Sequence, residues 1–386
     1  MMTHYKMSDV AVEINERENN PASSKYERFV GLEHYVSGEV IIRNYGSTEN
    51  LESTMKVFQS GDVLVARRNV YLKRASMVDF DGLTSGDSIV LRAKNPIIGR
   101  ILPFVLNTDS FWDFADQYSD GTMSKRLSPK TLMTYEFDLP DEDELEKFAD
   151  LLWAANDTRE SYQALLHQTD ELVKSQFIEM FSDIPRGEYK KLSEACKIIT
   201  DGTHQPPKFI DKGIPFLLVS NITGNVITYD TPKYISQETY DVLMKRTPIE
   251  IGDILLSTVG SYGHPAIVKE NRPFSFQRHI AYLKPDTSKI DSVYLHTAIL
   301  SDDVQKQIDV LVLGVAQKTL NLSAIRGIQI PVPSIDRQQA FILFVEQTDK
   351  SKFTVAFQIA IYRDVWQPWK RRKRMGHYDC WKLLFT

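Results

Sequence analysis

Cysteine is nearly missing from this chain: Cys196 and Cys380 are the only two in 386 residues. So sparse and isolated a pair excludes a disulfide framework and a thiolate zinc site. Long apolar runs are missing too. None approaches the ~20 residues of a membrane-spanning helix, and Met1 to Asn20 is polar where a secretory leader needs an apolar stretch, so the expected compartment is the cytoplasm, with no membrane partner. No Gly-rich phosphate loop follows a strand, and no His pair stands at metal spacing. A methyltransferase element of the Asp-Pro-Pro-Tyr kind is also lacking, because Asn95-Pro96-Ile97-Ile98 has neither the second proline nor the aromatic. Positive charge is in short supply: 46 Lys and Arg against 51 Asp and Glu give -5, which argues against a uniformly basic nucleic-acid binder.

What is present is uneven. Asp141 to Glu171 holds ten acids against Lys147 and Arg159, a local balance of -8 that leaves the rest of the chain at +3. Acid at Asp141 to Glu144 suits the positive end of a helix dipole, a simpler reading than a nuclease metal site. Basic residues gather at Arg67, Arg68, Lys73 and Arg74 and again at Lys370 to Arg374.

The chain is also written twice. Gly61-Asp62-Val63-Leu64-Val65 returns as Gly252-Asp253-Ile254-Leu255-Leu256, and Ile89 matches Ile280 at the same offset of 191. Phe137-Asp138-Leu139-Pro140 then matches Ile330-Pro331-Val332-Pro333 at 193. Three anchors in one order point to an internal repeat, and the length and 42% apolar content suffice for two cores.

Residues 1–140 and 185–335 show short strand-like runs broken by Gly and Asp, which predicts two irregular α+β domains. From Glu142 to about Phe181 neither Pro nor Gly intervenes, and Phe148, Leu152, Ala155, Tyr162, Leu166 and Val173 recur at helical spacing. Residues 141–184 therefore read as one long helix of roughly 60 Å at 1.5 Å per residue. A second stripe, Phe341, Val345, Val355, Ile359, Tyr362 and Trp366, marks residues 336–367, before a basic tail at 368–386. Matching stripes on two long helices predict a coiled coil. The competing arrangement packs each helix on its own domain.

Read this way, the chain resembles the specificity subunit of type I restriction-modification systems. The second copy carries the resemblance in Ile199-Thr200-Asp201-Gly202-Thr203-His204-Gln205-Pro206, Ile214-Pro215-Phe216-Leu217, Gly252-Asp253-Ile254-Leu255, Gln317-Lys318-Thr319-Leu320-Asn321-Leu322 and Ile330-Pro331-Val332-Pro333. The first copy is similar to another branch through Phe80-Asp81-Gly82, Ser85-Gly86-Asp87, Asp120-Gly121-Thr122 and Leu139-Pro140. The resemblance implies two target recognition domains joined by two long antiparallel helices, and a DNA-reading adaptor with no catalysis of its own. It implies two methylation subunits as partners, with restriction/translocase subunits added for cleavage and adenine as the modified base. S-adenosylmethionine, ATP and Mg would belong to those partners, so no cofactor is expected in this chain. The tail after Pro368 fits no motif of the family and leaves a silent or truncated allele as an alternative.

Reading a double-stranded DNA sequence needs amide, hydroxyl and guanidinium groups on base edges and basic or backbone donors on phosphates. The loops of the first copy offer Arg43, Asn44, Arg67, Arg68, Asn69, Tyr71, Lys73, Arg74, Lys125 and Arg126. Those of the second offer Thr203, His204, Gln205, Ser220, Asn221, Ser261, Tyr262, Gln277, Arg278, Gln317 and Lys318. The expectation is two heads that read unlike halves of a split, asymmetric target while the helices set the unread spacer. A fused methyltransferase or nuclease and a protein-binding scaffold are the competing classes.

Overall fold

The computed structural model describes residues 2–121, 124–314 and 318–350. The chain divides into two compact units, with the boundary between Gln163 and Ala164. In the first, β1 (Met2–Lys6) leads through a single turn, α1 (Met7–Val10), into β2 (Ala11–Ile14). The central strands are β3 (Val63–Ala66), β4 (Ala75–Met77) and β5 (Ser88–Ala93), followed by α2 (Pro96–Val105) and β6 (Glu136–Pro140). Strand order in the main sheet is β2-β5-β3-β4, and β6 pairs antiparallel with β1.

Every residue of β3 is buried. Side chains alternate across a strand, so Val63 and Val65 enter the core that holds α2. Leu64 and Ala66 enter a second core with Val30, Phe58 and Val90. A sheet covered on both faces explains why this strand is an unbroken apolar run.

The long helix, α3 (Glu142–Phe181), follows. Its first turns set Leu145, Ala149 and Leu152 into the core of the first unit, with Phe148 packed beside them. Its last turns set Val173, Phe177 and Phe181 into the core of the second.

The second unit repeats the design. β7 (Lys190–Lys191), α4 (Leu192–Ala195) and β8 (Cys196–Asp201) correspond to β1, α1 and β2. β9 (Ile254–Ser257), β10 (Pro265–Ile267), β11 (Ile280–Pro285), α5 (Ser292–Leu300) and β12 (Gln329–Ile330) complete the set. Strand order is β8-β11-β9-β10, the order of the first sheet. The copies differ in the smaller sheet: five strands in the first unit, three in the second, with one parallel pair in each.

Register corrects one anchor of the repeat. Ala66 faces Ser88 in the first copy and Ser257 faces Ile280 in the second, so Ser88 is the counterpart of Ile280, at an offset of 192. Ile89 therefore corresponds to Ala281. A slip of one residue reverses the face of a strand, and Ile89 and Ile280 do sit in cores on opposite sides of their sheets.

The Gly-Asp pair that marks each copy is a structural turn. Gly61 and Gly252 have φ of 89° and 93°, the left-handed region open to glycine. Asp62 and Asp253 are buried and accept the N–H of the residue three before, Gln59 or Glu250. A basic residue of the neighbouring strand neutralises each: Arg92 bonds Asp62 at 2.7 and 2.8 Å, and Lys284 stands 3.3 Å from Asp253. Tyr282 adds a hydroxyl donor to Asp253 at 2.8 Å.

Residues 335–350 are helical. Arg337 donates to the Met180 carbonyl and to Asp183, whereas Phe341 meets Phe177 and Phe181 with ring centroids 5.5 and 5.7 Å away. Later residues thus meet earlier turns of α3, and the two helices run antiparallel there. Val345 is buried in the same core as Val173. Tyr162, Leu166 and Ala155 are half-buried on α3, while Val355, Ile359, Tyr362 and Trp366 lie outside the described residues. The N-terminal turns of α3 follow the competing arrangement: Leu152 and Phe148 pack on their own domain's core.

Candidate nucleic-acid interface

Each main sheet has one end where the loops carry polar chemistry, and both ends are built on the same backbone bonds. In the first copy, just past β3, Arg67 donates its N–H to the Asp87 carbonyl at 2.9 Å and accepts from Leu127 N–H at 2.8 Å. In the second, Thr258 donates to the His279 carbonyl at 3.0 Å and accepts from Leu320 N–H at 2.8 Å. A hairpin closes beside each. Asp120 and Arg126 exchange backbone bonds of 3.1 and 2.8 Å, and Leu313 and Thr319 exchange bonds of 3.0 and 2.8 Å. Asn69 N–H then bonds Lys125 and Gly260 N–H bonds Lys318, both through the lysine carbonyl. Lys125 and Lys318 are thus counterparts, as are Arg68 and Val259, Asp87 and His279, and Arg126 and Thr319. The hairpin tips, including Gln317, fall outside the described residues.

Most of the basic residues expected in the first copy meet at this end. Asp87 holds Arg126 at 3.0 Å and Arg68 at 3.5 Å. Arg67 Nε donates to the Leu127 carbonyl, and Arg74 donates to the Arg68 and Leu32 carbonyls. Asn69 and Lys73 bracket a short helical turn in left-handed backbone, φ 56° and 48°. Ser124 donates to the Asn69 amide oxygen. Lys125 pairs with Asp116 and Lys73 with Asp109, leaving Tyr71 as an exposed ring on the turn between them. Arg43 and Asn44 are elsewhere. Ile42 N–H bonds the Met77 carbonyl, at the opposite end of β4 from Arg74, and Arg43 pairs with Glu160 and Asp79 there.

In the second copy the same corner is a hollow of about 310 Å³ lined by Asp201, Thr258, Val259, Arg278, His279 and Thr319 among others. Gly202 makes its wall possible: a Cβ there would lie 2.3 Å from the Phe276 carbonyl oxygen and 2.5 Å from that of Gln277. That close approach lets Thr203 bridge to Gln277 and its carbonyl accept from Arg278 N–H. Asp201 binds Arg246 at 2.7 Å and His204 at 2.9 Å, so both side chains are held at the rim, with Gln205 exposed beyond them. Burial lowers the His279 imidazole below its ordinary value, and the Arg278 charge adds to this. His279 thus stands neutral at pH 7, with Nε2 accepting from Arg278. Lys318 lies over the Tyr262 ring at 5.9 Å, Tyr262 donates to Asp309, and Ser261 is exposed beside them.

Asn221 is turned inward. It accepts Leu218 N–H and donates to the Thr228 and Asp230 carbonyls, which shapes its loop and leaves Ser220 exposed next to it. Sequence reasoning missed Asp87, Arg246 and His279. Ser85-Gly86-Asp87 and Asp201-Gly202-Thr203 had pointed at the neighbourhood, but nothing local marks Arg246, which the fold carries in from a loop forty-five positions past Asp201. A wider, aromatic-walled hollow of about 670 Å³ beside Phe114, Tyr118 and Tyr135 takes none of the expected residues. Among the described residues no three His, Cys, Asp or Glu gather as for a metal, and no helix is long and apolar enough to cross a membrane.

The two copies are thus one duplicated α+β frame that keeps its backbone bonds and changes its loop side chains. Residues 187–359, which span the second copy, match the family described as the type I restriction modification DNA specificity domain. The chain is similar to the EcoBI type I specificity subunit of Escherichia coli, 32% identical over 146 residues, 38% of this chain and 31% of that one. It is also similar to the MjaVIII specificity subunit of Methanocaldococcus jannaschii, 20% identical over 280 residues, 67% of this chain and 65% of the relative. It thus spans about a third of the length of one curated relative and just under two thirds of the other. The crystal structure of a type I S subunit from M. genitalium shares the fold, with a TM-score of 0.50, 14% identity and coverage of 98% and 97% of the two chains.

Proposed function

We propose that this chain is the specificity subunit of a type I restriction-modification complex: a non-catalytic, sequence-specific DNA-binding protein whose two domains read unlike halves of a split target. The observation that carries this is the doubled sheet end, where an identical set of backbone bonds presents Arg68, Asp87 and Arg126 in one copy and Val259, His279 and Thr319 in the other. One frame with two surfaces is what two different half-sites require, because base edges are told apart by the side chains that reach them. Local basic charge in an acidic chain fits the same reading, since phosphates attract the loops and the rest of the surface repels them.

Two methylation subunits use S-adenosylmethionine to methylate an adenine of the DNA target, and restriction/translocase subunits supply ATP- and Mg-dependent cleavage. This chain recruits and aims them in the cytoplasm. The test is single-molecule sequencing of host DNA from cells with the gene present and deleted, the methylation subunits being expressed in both. The expected result is loss of one split, asymmetric, adenine-methylated motif on deletion. A palindromic motif, or none together with no DNA binding by the purified complex, overturns the reading.

A further inference from the structure

The corner of the first copy is chemically specific in a way that its counterpart is not. Asp87 divides its carboxylate between two arginines, one oxygen 3.0 Å from Arg126 and the other 3.5 Å from Arg68. Both guanidiniums remain about half exposed, at 46% and 47%, while the carboxylate between them is 27% exposed. The backbones beneath them bridge antiparallel, which fixes the spacing of the two side chains. Each guanidinium has five N–H donors in a planar fork and meets the aspartate through one terminal nitrogen, Arg126 by a hydrogen bond and Arg68 as an ion pair. A fork held by a carboxylate loses less freedom when it meets a ligand.

We propose that this Arg68–Asp87–Arg126 clamp reads guanine in the major groove, so that the half-site of the first domain contains guanine at the positions under the two arginines. The inference rests on the DNA-reading function above and names the base. Guanine presents two acceptors, O6 and N7, at the spacing of the arginine fork, and no other base does so in that groove. Adenine offers a donor beside N7, which meets a cation badly. Asp87 acts as a positioning residue: it orients both forks and touches no base. At the matching place in the second domain stand Val259, His279 and Thr319, none of which can make a two-bond contact to guanine, so the second half-site need not carry guanine there.

The test uses the full chain assembled with its methylation subunits and a library randomised in the first half-site, the second half-site held fixed. The wild-type complex should select guanine at one or two positions of the first half. Replacing one such guanine by 7-deazaguanine, which lacks the N7 acceptor, should weaken binding about 5- to 100-fold. Arg68→Lys and Arg126→Lys keep the charge but lose the fork. Each should relax selection at its own position, leave the second half-site unchanged and leave the salt dependence of binding nearly intact. Asp87→Asn should relax both positions together. Retained selection at the other positions of the first half-site shows that the first domain of a variant is folded. Selection of a first half without guanine, or lysine variants as selective as wild type, would overturn the inference while the specificity function stands. Failure of the wild-type complex to select any split sequence would instead sink the function on which it rests.

Discussion

In the first copy the corner beyond the sheet is packed with charge, Arg68 and Arg126 on either side of Asp87; in the second the same corner is a hollow of about 310 Å³ with a neutral histidine in its wall. The bonds that hold the two corners in shape are nevertheless matched one for one, and they run between backbone atoms. The difference separates two jobs that a sequence mixes. Geometry is supplied by main-chain pairing and by the buried Gly-Asp turn, whereas chemistry is supplied by side chains that the pairing does not consult. The smaller sheets differ in the same spirit: the first copy adds strands, but the parallel pair beneath the corner stays.

The largest test of that separation is the turn. Asp253→Ala should destabilise the second copy by about 3 kcal/mol, because the Glu250 N–H loses its acceptor while Lys284 and the Tyr282 hydroxyl each lose one of theirs and keep only Glu250 and the Pro248 carbonyl. Asp62→Ala should cost the first copy less, about 2 kcal/mol, since Arg92 is 35% exposed and can turn to water. Urea unfolding with hydrogen exchange at the strands of each copy measures both, and equal losses would break the distinction.

Acid should also separate the copies. His296 on α5 donates Nε2–H to the Asn225 and Pro265 carbonyls, and burial pushes its imidazole down to about 4. The unfolded chain takes up a proton near pH 6.5 and the folded second copy does not. The stability this confers is therefore whole above pH 6.5 and is lost as pH falls towards 4, on the order of 3 kcal/mol. The matching region of the first copy, around Pro103 and Phe104 of α2, has no histidine. Hydrogen exchange at pH 7 and pH 4.5 should show the second copy loosening first, and His296→Leu should remove the pH dependence.

Smaller effects belong to the interface. His204→Ala should cost about 1 kcal/mol at the second half-site and nothing at the first, read by selection from randomised targets. Lys125→Ala and Lys318→Ala, counterparts in the two hairpins, should weaken binding for all sequences alike and lower the salt slope by about 1 each. A lysine variant that changed sequence preference would move these residues from the phosphates to the bases.

Much of this was legible in the chain. The Gly-Asp pairs announce the repeat because a left-handed glycine and a buried, capped carboxylate tolerate few substitutes. The strand anchor Ile89 and Ile280 found the right strands one residue out of phase, since a strand buried on both faces has no polar alternation to set its register. The hairpins 120–126 and 313–319 escaped notice as a repeated pair because their bonds are backbone bonds and their shared residues are few: Gly121 and Gly314, in left-handed backbone with φ of 93° and 103°, and Lys125 and Lys318. Arg246 and His279 were invisible for another reason: only folding brings them to Asp201 and the hollow. Asn221 shows the converse, an amide in a promising loop that spends its hydrogen bonds on the loop itself.

The hairpin bonds between Asp120 and Arg126, and between Leu313 and Thr319, have an evolutionary consequence. Because the closures run between backbone atoms and ask for glycine only at 121 and 314, the other side chains at these corners can change with little effect on the stability of the fold, and under the proposed function such changes are screened by the DNA they recognise. A lineage can therefore try new targets without first surviving an unfolded intermediate, and the two halves of the target can drift independently.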